Sequence, residues 1–214
     1  MSAVQEIGRL DVGEASLRQT QTPKATHANP DHKQGAYMIF YRDDSKPEDA
    51  KERYYSHTIC DGKPGSLALE VPRHWHDYHD EYMKCIEGQL EVSLDDKIII
   101  AKPGEDALFI ERGHVHGFKF PKGQRAVLQE LTDPTGEFKQ RFFEDIFEKG
   151  LTFWTMMRGF ADGDTYIAFT PFRWLDLVCM AMLGFVARWR LPREGGVIPK
   201  SIAPSMPLDG KKMS

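Results

Sequence analysis

The chain has 214 residues, 41% of them hydrophobic and 28% charged, with a formal net charge of -4. That length suits one folded domain with extensions rather than two full domains. The acidic balance argues against nucleic acid as a partner, because phosphate binding needs a basic surface, and three scattered cysteines (Cys60, Cys85, Cys179) suit a reducing compartment rather than a disulfide framework.

Met1 to about Asn29 is polar, lacks the apolar run of a secretory leader, and is expected to be extended or loosely attached. A cytoplasmic protein is the corresponding expectation. From about Tyr37 to Thr132 the chain breaks into short β-rich runs: GAYMIFY, YYSHTIC, SLALEV, EYMKCI, QLEVSL, KIIIA, DALFI, HGFKF and RAVLQEL. Turns such as DGKPG, EGQ, KPGE, ERG and PKGQ separate them. Closely spaced short strands with Gly, Pro and Asp turns predict a mainly β, antiparallel sandwich or barrel. After Pro134 the period changes. GEFKQRFFEDIFEKG puts Phe138, Phe142, Phe143, Ile146 and Phe147 on one helical face, so a helix is expected to cover the barrel or a partner subunit. The divisions expected are an extension over 1–32, a barrel over 33–134, and a helical segment with a tail over 135–214.

The most apolar stretch runs from Thr170 to Pro192, with Thr170 read as N-cap, Pro171 as first helical residue and Pro192 as stop. Asp176 and Arg188 leave too short an uncharged run for a membrane span, which needs about 20 apolar residues. Leu175, Val178, Cys179, Met182, Val186 and Trp189 follow helical spacing, and such a face must be covered. The barrel or the second subunit of a homodimer is expected to cover it. Arg188, Arg190 and Arg193 leave contact with a membrane surface open.

Chemistry concentrates in one region: five of the eight histidines fall between His74 and His116. RHWHDYHDEY, Arg73 to Tyr82, contains an H-x-H pair. On a strand, alternate side chains share a face, so His74 and His76 aim at one point. Glu81, Met83 and Cys85 share a face of the next strand, and His114, His116, Phe118 and Phe120 share parity downstream. An isolated H-x-H is more often surface polarity near a turn than a ligand pair.

The wider spacing is more specific. His74, His76, Glu81 and Gly88 match the first motif of the cupin family, and PGEDALFIERGHVHGF is a weaker form of the second, with His116 in the fourth ligand position. The chain therefore resembles single-domain cupins over about Leu67 to Leu131. Glu111 stands where the second motif usually has proline, one extra residue follows Gly104, and Phe120 replaces an asparagine of the motif. The resemblance implies a double-stranded β-helix (the cupin jelly-roll barrel) with C-terminal helices. It also implies one divalent metal on His74, His76, Glu81 and His116, with Fe(II) favoured and Mn, Ni, Cu or Zn open.

His114 could replace His116 if the turn shifts by two residues. His79 is read as solvent-facing or beside the ligands, and Asp77 and Asp80 as turn residues. His57 is read as a buried structural histidine. No acid or base is chosen, although Tyr55, His57 and Glu130 qualify if their strands point inward. Candidate pocket residues are Trp75 at the mouth, Met83, Cys85, Phe109, Phe118 and Phe120, although apolar side chains at such positions are more often core. They suit a flat, apolar, oxygenated small molecule of aromatic or polyketide kind. The layout also resembles small fungal cupin oxidoreductases of secondary-metabolite pathways. That resemblance implies an oxidoreductase, with an isomerase or cyclase, or a non-catalytic binding cupin, as the other readings.

Overall fold

The computed structural model describes residues 21–28, 35–66, 68–140, 142–143 and 152–192. Two antiparallel sheets face each other. The first has the order β1-β2-β3-β10-β5-β8, from strands β1 (Gln21–Ala28), β2 (Ala36–Asp43), β3 (Tyr54–Cys60), β10 (Ala126–Asp133), β5 (Asp80–Glu87) and β8 (Leu108–Ile110). The second has the order β11-β4-β9-β6-β7, from β11 (Tyr166–Ile167), β4 (Glu70–Trp75), β9 (His116–Lys119), β6 (Leu90–Leu94) and β7 (Lys97–Ala101). Chain neighbours β4 and β5 thus lie in opposite sheets, as the double-stranded β-helix requires. Residues 138–140 and 142–143 are helical, and the helices α1 (Phe153–Asp162) and α2 (Arg173–Arg190) follow.

Alternation sets the inner face. Along β5, Glu81, Met83 and Cys85 are buried. The two cysteines Cys60 and Cys85 join Met83, Leu90, Val92 and Leu128 in one apolar core between the sheets. Gly88 turns β5 into β6 at φ 75°, and a Cβ there would lie 2.2 Å from the Arg125 carbonyl oxygen. Only glycine fits that approach, which gives the glycine of the first motif its physical reason.

Eight of the nine runs read from sequence fall on β2, β3 and β5 through β10, while SLALEV meets β4 only at Glu70 and Val71, the strand running on to Trp75. Gln21–Ala28 takes the extended alternative: it pairs along β2 and extends the first sheet by one strand. Residues 1–20, 144–151 and 193–214 lie outside the described residues, and with them Ile146, Phe147 and Arg193.

Helix α2 departs from expectation at both its start and its face. It begins at Arg173, with Phe172 as N-cap and no capping side chain. Thr170 instead closes a local turn, its hydroxyl accepting from the Phe172 N–H, while its own N–H donates to Asp176. The buried residues are Asp176, Met180, Gly184 and Ala187. Gly184 is the cause. A Cβ there would sit 2.3 Å from the Ala161 Cβ of α1, so the helices touch along the side that lets the backbones approach. Asp162 of α1 then accepts from Arg188 of α2 at 2.8 Å and pairs with Arg158. Trp174, Val178, Met182, Phe185 and Trp189 are consequently exposed. No described helix is long and apolar enough to cross a membrane.

Candidate metal centre

Strand pairing brings the histidines together. His74 and His116 are directly opposite on β4 and β9, with ring centroids 4.3 Å apart. A register shift between Val71 and His74 brackets Pro72, which has no N–H to give the ladder. His76 lies just past β4, and Glu81 faces it from β5 in the other sheet. The donor atoms of His74, His76, Glu81 and His116 all lie within 4.8 Å of one another, and all four residues are buried.

Each imidazole is oriented by its Nδ1. His74 Nδ1 bonds the Pro72 carbonyl at 2.8 Å, His116 Nδ1 the His114 carbonyl at 3.0 Å, and His76 Nδ1 the Asp164 carbonyl at 2.7 Å. A carbonyl only accepts, so Nδ1 carries the proton and the neutral Nε2 presents a lone pair to the centre. Burial agrees: it pushes His76 down to about 4 and His74 well below its usual value.

Glu81 then poses a problem of charge. Its oxygens lie 3.0 Å from His116 Nε2 and 3.2 Å from His76 Nε2, and the His76 atom is buried without a hydrogen bond. Lone pairs on both sides repel unless a cation sits between them. Cis ligands held at about 2.1 Å from one ion are about 3 Å apart, so these spacings suit a divalent metal. Three imidazoles and a carboxylate form a borderline-hard donor set for Fe, Mn, Ni, Cu or Zn. The residues fit the metal.

A further layer was not legible in the sequence. Asp164, at φ 55° in the turn after α1, binds His76 through its carbonyl. Its carboxylate accepts from the N–H groups of Asp77 (3.2 Å) and Tyr78 (2.7 Å) and from His79 Nδ1 (2.9 Å). His79 is therefore buried, not solvent-facing, with Nε2 3.6 Å from Glu81. Burial opposes its charge, but Asp164 and Glu81 outweigh burial and raise its pKa. His76, His79 and Asp164 form a second cluster of ligating types that shares His76 with the first. His114 is turned outward to Asp95 at 2.7 Å. Asp80 accepts from the Arg112 backbone and guanidinium at 2.8–2.9 Å, fixing the turn before Glu81.

From the helical turn at 138–140, Lys139 reaches Glu81 and also donates to Glu130 at 3.1 Å. Burial works against the Glu81 carboxylate, yet Lys139 and the histidines hold it well below the usual range. Burial raises Glu130. For Lys139 the two carboxylates outweigh burial and keep it charged.

Beside these groups lies a cavity of about 260 Å³, lined by His74, His76, Glu130 and Lys139 at one end and largely apolar elsewhere. Phe142 and Phe143 of the helical turn, and Met156 and Phe160 of α1, form part of its wall. Of the expected pocket residues, Phe118 alone lines it. Met83, Cys85 and Phe120 are buried in the core between the sheets. Trp75, opposite in parity to His74, stacks on Tyr166 at 4.5 Å on the other side of its sheet. Phe109 is 48% exposed beside Tyr82. The pocket is built from the barrel wall plus post-barrel helices, which strand parity alone could not reveal. Of the acid and base candidates, Glu130 faces this cavity. Tyr55 lines a smaller cleft, and His57 lies buried between β2 and β10 against Tyr41 and Gln129.

Asp164 should matter to metal affinity without touching the metal. Asp164→Ala is expected to weaken binding about 10- to 100-fold, as loss of a ligand's supporting bonds does elsewhere. Asp164→Asn keeps the left-handed turn and an acceptor, and should recover most of that loss. Titration with a competing chelator reads both.

Residues 64–131 match the Cupin domain family model, about a third of the chain. No curated protein matches the sequence. Among solved structures, an RmlC-like cupin from Shewanella frigidimarina is 17% identical over 60% of this chain and 93% of its own, with a TM-score of 0.38. KdgF from Halomonas sp. is 18% identical over 48% of this chain and 82% of its own, at 0.37. L-ribose isomerase from Cellulomonas parahominis is 14% identical over 40% of this chain and 50% of its own, at 0.32. The chain thus spans half the length of that isomerase.

Proposed function

We propose that the chain is a metal-dependent cupin enzyme. In this reading it is an oxidoreductase of oxygenase or oxidase type acting on an aromatic or polyketide-like molecule of secondary metabolism. The observation that carries it is the meeting of three oriented Nε2 lone pairs and one carboxylate at the wall of an apolar cavity. A bound divalent ion, Fe(II) by preference, supplies Lewis acidity and open positions for oxygen-bearing ligands. The chain's own part is to orient the imidazoles through Pro72, His114 and Asp164, and to hold the substrate among Phe118, Phe142 and Phe160. Apolar walls also keep bulk water from the reacting atoms.

Glu130 beside Lys139 favours a second reading, a metal-assisted isomerase or cyclase, because a buried carboxyl with a raised pKa suits proton transfer. The two separate in one experiment. Fe(II)-loaded protein with candidate aromatic polyketides should consume oxygen in step with product. Turnover that continues without oxygen, and with zinc in place of iron, assigns the isomerase. A metal-loaded protein that binds but never converts its ligand is a binding cupin.

The exposed face of α2 belongs to the same proposal as a homodimer contact. Trp174, Phe185 and Trp189 are 66%, 72% and 77% exposed, and a row of that size in water invites association. Light scattering on detergent-free protein should give twice the monomer mass, and Phe185→Glu should halve it. A monomer that sediments with anionic vesicles would assign the face to a membrane surface instead.

A further inference from the structure

Lys139 is the one Lys or Arg among the described residues that line the cavity, and it stands where the cavity meets the four convergent ligands. An ammonium has three N–H donors, and Glu81 and Glu130 take two. The charges around it decide what the third should meet. His74, His76 and His116 are neutral when Nε2 is a ligand, and His79 and Asp164 pair with each other behind His76, outside the cavity lining. Glu81, Glu130 and Lys139 together carry one negative charge, so a divalent ion makes the cluster singly positive. Protonation of Glu130 makes it doubly positive. In both states the polar end of an otherwise apolar cavity is cationic.

We propose that Lys139 anchors the substrate by donating a hydrogen bond to an anionic oxygen (carboxylate, phenolate or enolate) of a compact aromatic ligand in this cavity. The proposal rests on the metal reading above, since the charge sum includes the ion. When the metal takes a share of the Glu81 carboxylate, the Lys139–Glu81 contact weakens and the ammonium is freer to turn. The cavity limits the ligand's size. Space of about 150 Å³ holds benzene, so this one suits a two-ring aromatic. Phe118, Phe142, Phe143 and Phe160 offer ring faces and edges to such a ligand.

The test uses the full chain loaded with zinc, which prevents redox turnover, with 2-naphthoate and neutral 2-naphthamide as probes. Calorimetry should show the wild type binding naphthoate in preference to the amide. Lys139→Met should lose about 10- to 100-fold in naphthoate affinity, the scale of one charge-assisted hydrogen bond, while binding the amide as before. Lys139→Arg should keep the anion preference. Glu130→Gln, which removes a competing negative charge and leaves only a neutral amide oxygen to accept from Lys139, should bind naphthoate at least as tightly as wild type, and it tests the idea if Lys139→Met does not fold. Zinc content is measured for every protein. A wild type that takes up no zinc overturns both the metal reading and the charge sum. A zinc-loaded Lys139→Met protein that binds naphthoate like wild type overturns the anchor alone. Failure of the wild type to bind either probe overturns the ligand class.

Discussion

Glu81→Gln protein is expected to retain its barrel and lose its metal. The substitution keeps volume and shape but removes the single negative charge among the four convergent residues, at a position 1% exposed. Loss of a ligand should cost more than loss of a supporting bond, so affinity should fall by more than about 100-fold. Activity should fall with it. His76→Ala and His116→Ala should behave alike, and metal analysis after dialysis reads all three. Phe109→Ser, on the exposed side of β8, should leave metal content unchanged. Full occupancy in Glu81→Gln and His116→Ala would falsify the ligand assignment.

Mild acid should unfold the metal-free protein, and the buried histidines set the direction. Burial lowers His57 and His76 to about 4 and His74 well below its usual value, against about 6.5 in an unfolded chain. Above about pH 6.5 both states are neutral and these groups contribute no pH dependence. Below it the unfolded chain takes up protons that the folded one refuses, so stability falls with pH until the folded values are reached near about 4. Each such histidine should cost about 2 kcal/mol by about pH 5. His79, with a raised pKa, opposes the trend: its contribution is present below its unfolded value and lost as pH rises through the folded one. Glu81, held low, adds stability that acid removes as pH falls from the ordinary carboxylate value toward the lower folded one. Denaturant titrations at about pH 7.5 and about pH 5 should show the loss. His57→Gln, remote from the ligands and still offering the Gln129 amide an acceptor, should lose about 2 kcal/mol less between them.

What the sequence disclosed follows from what is local. Apolar alternation and Gly, Pro and Asp turns mark β2, β3 and β5 through β10, because each strand's inner face is decided by its own residues. The H-x-H pair and Glu81 are legible because a strand period and one turn relate them. Lys139 and Asp164 were missed because nothing near them in sequence tells which part of the barrel they return to. The face of α2 misled for another reason. Apolar residues nearly surround that helix, so hydrophobicity does not choose a side, and the close approach of Ala161 to Gly184 does. Residues 21–28 carry a weak strand pattern, and their place in the sheet comes from the backbone of β2.

The carbonyl of Asp164 that fixes His76 belongs to a residue 88 positions further along the chain. During synthesis, every one of the four convergent side chains has therefore left the ribosome before the turn that locks the tautomer of one of them exists. A nascent barrel can close with His76 free to present either nitrogen, and an ion met at that stage faces a looser, less discriminating set. Docking of the segment after α1 is the event that finishes the centre. A chain cut between β10 and Asp164 should thus keep β1 to β10 and the four convergent side chains but lose β11 and hold its metal weakly, and the late segment acts as a quality check on a site to which it contributes none of the four.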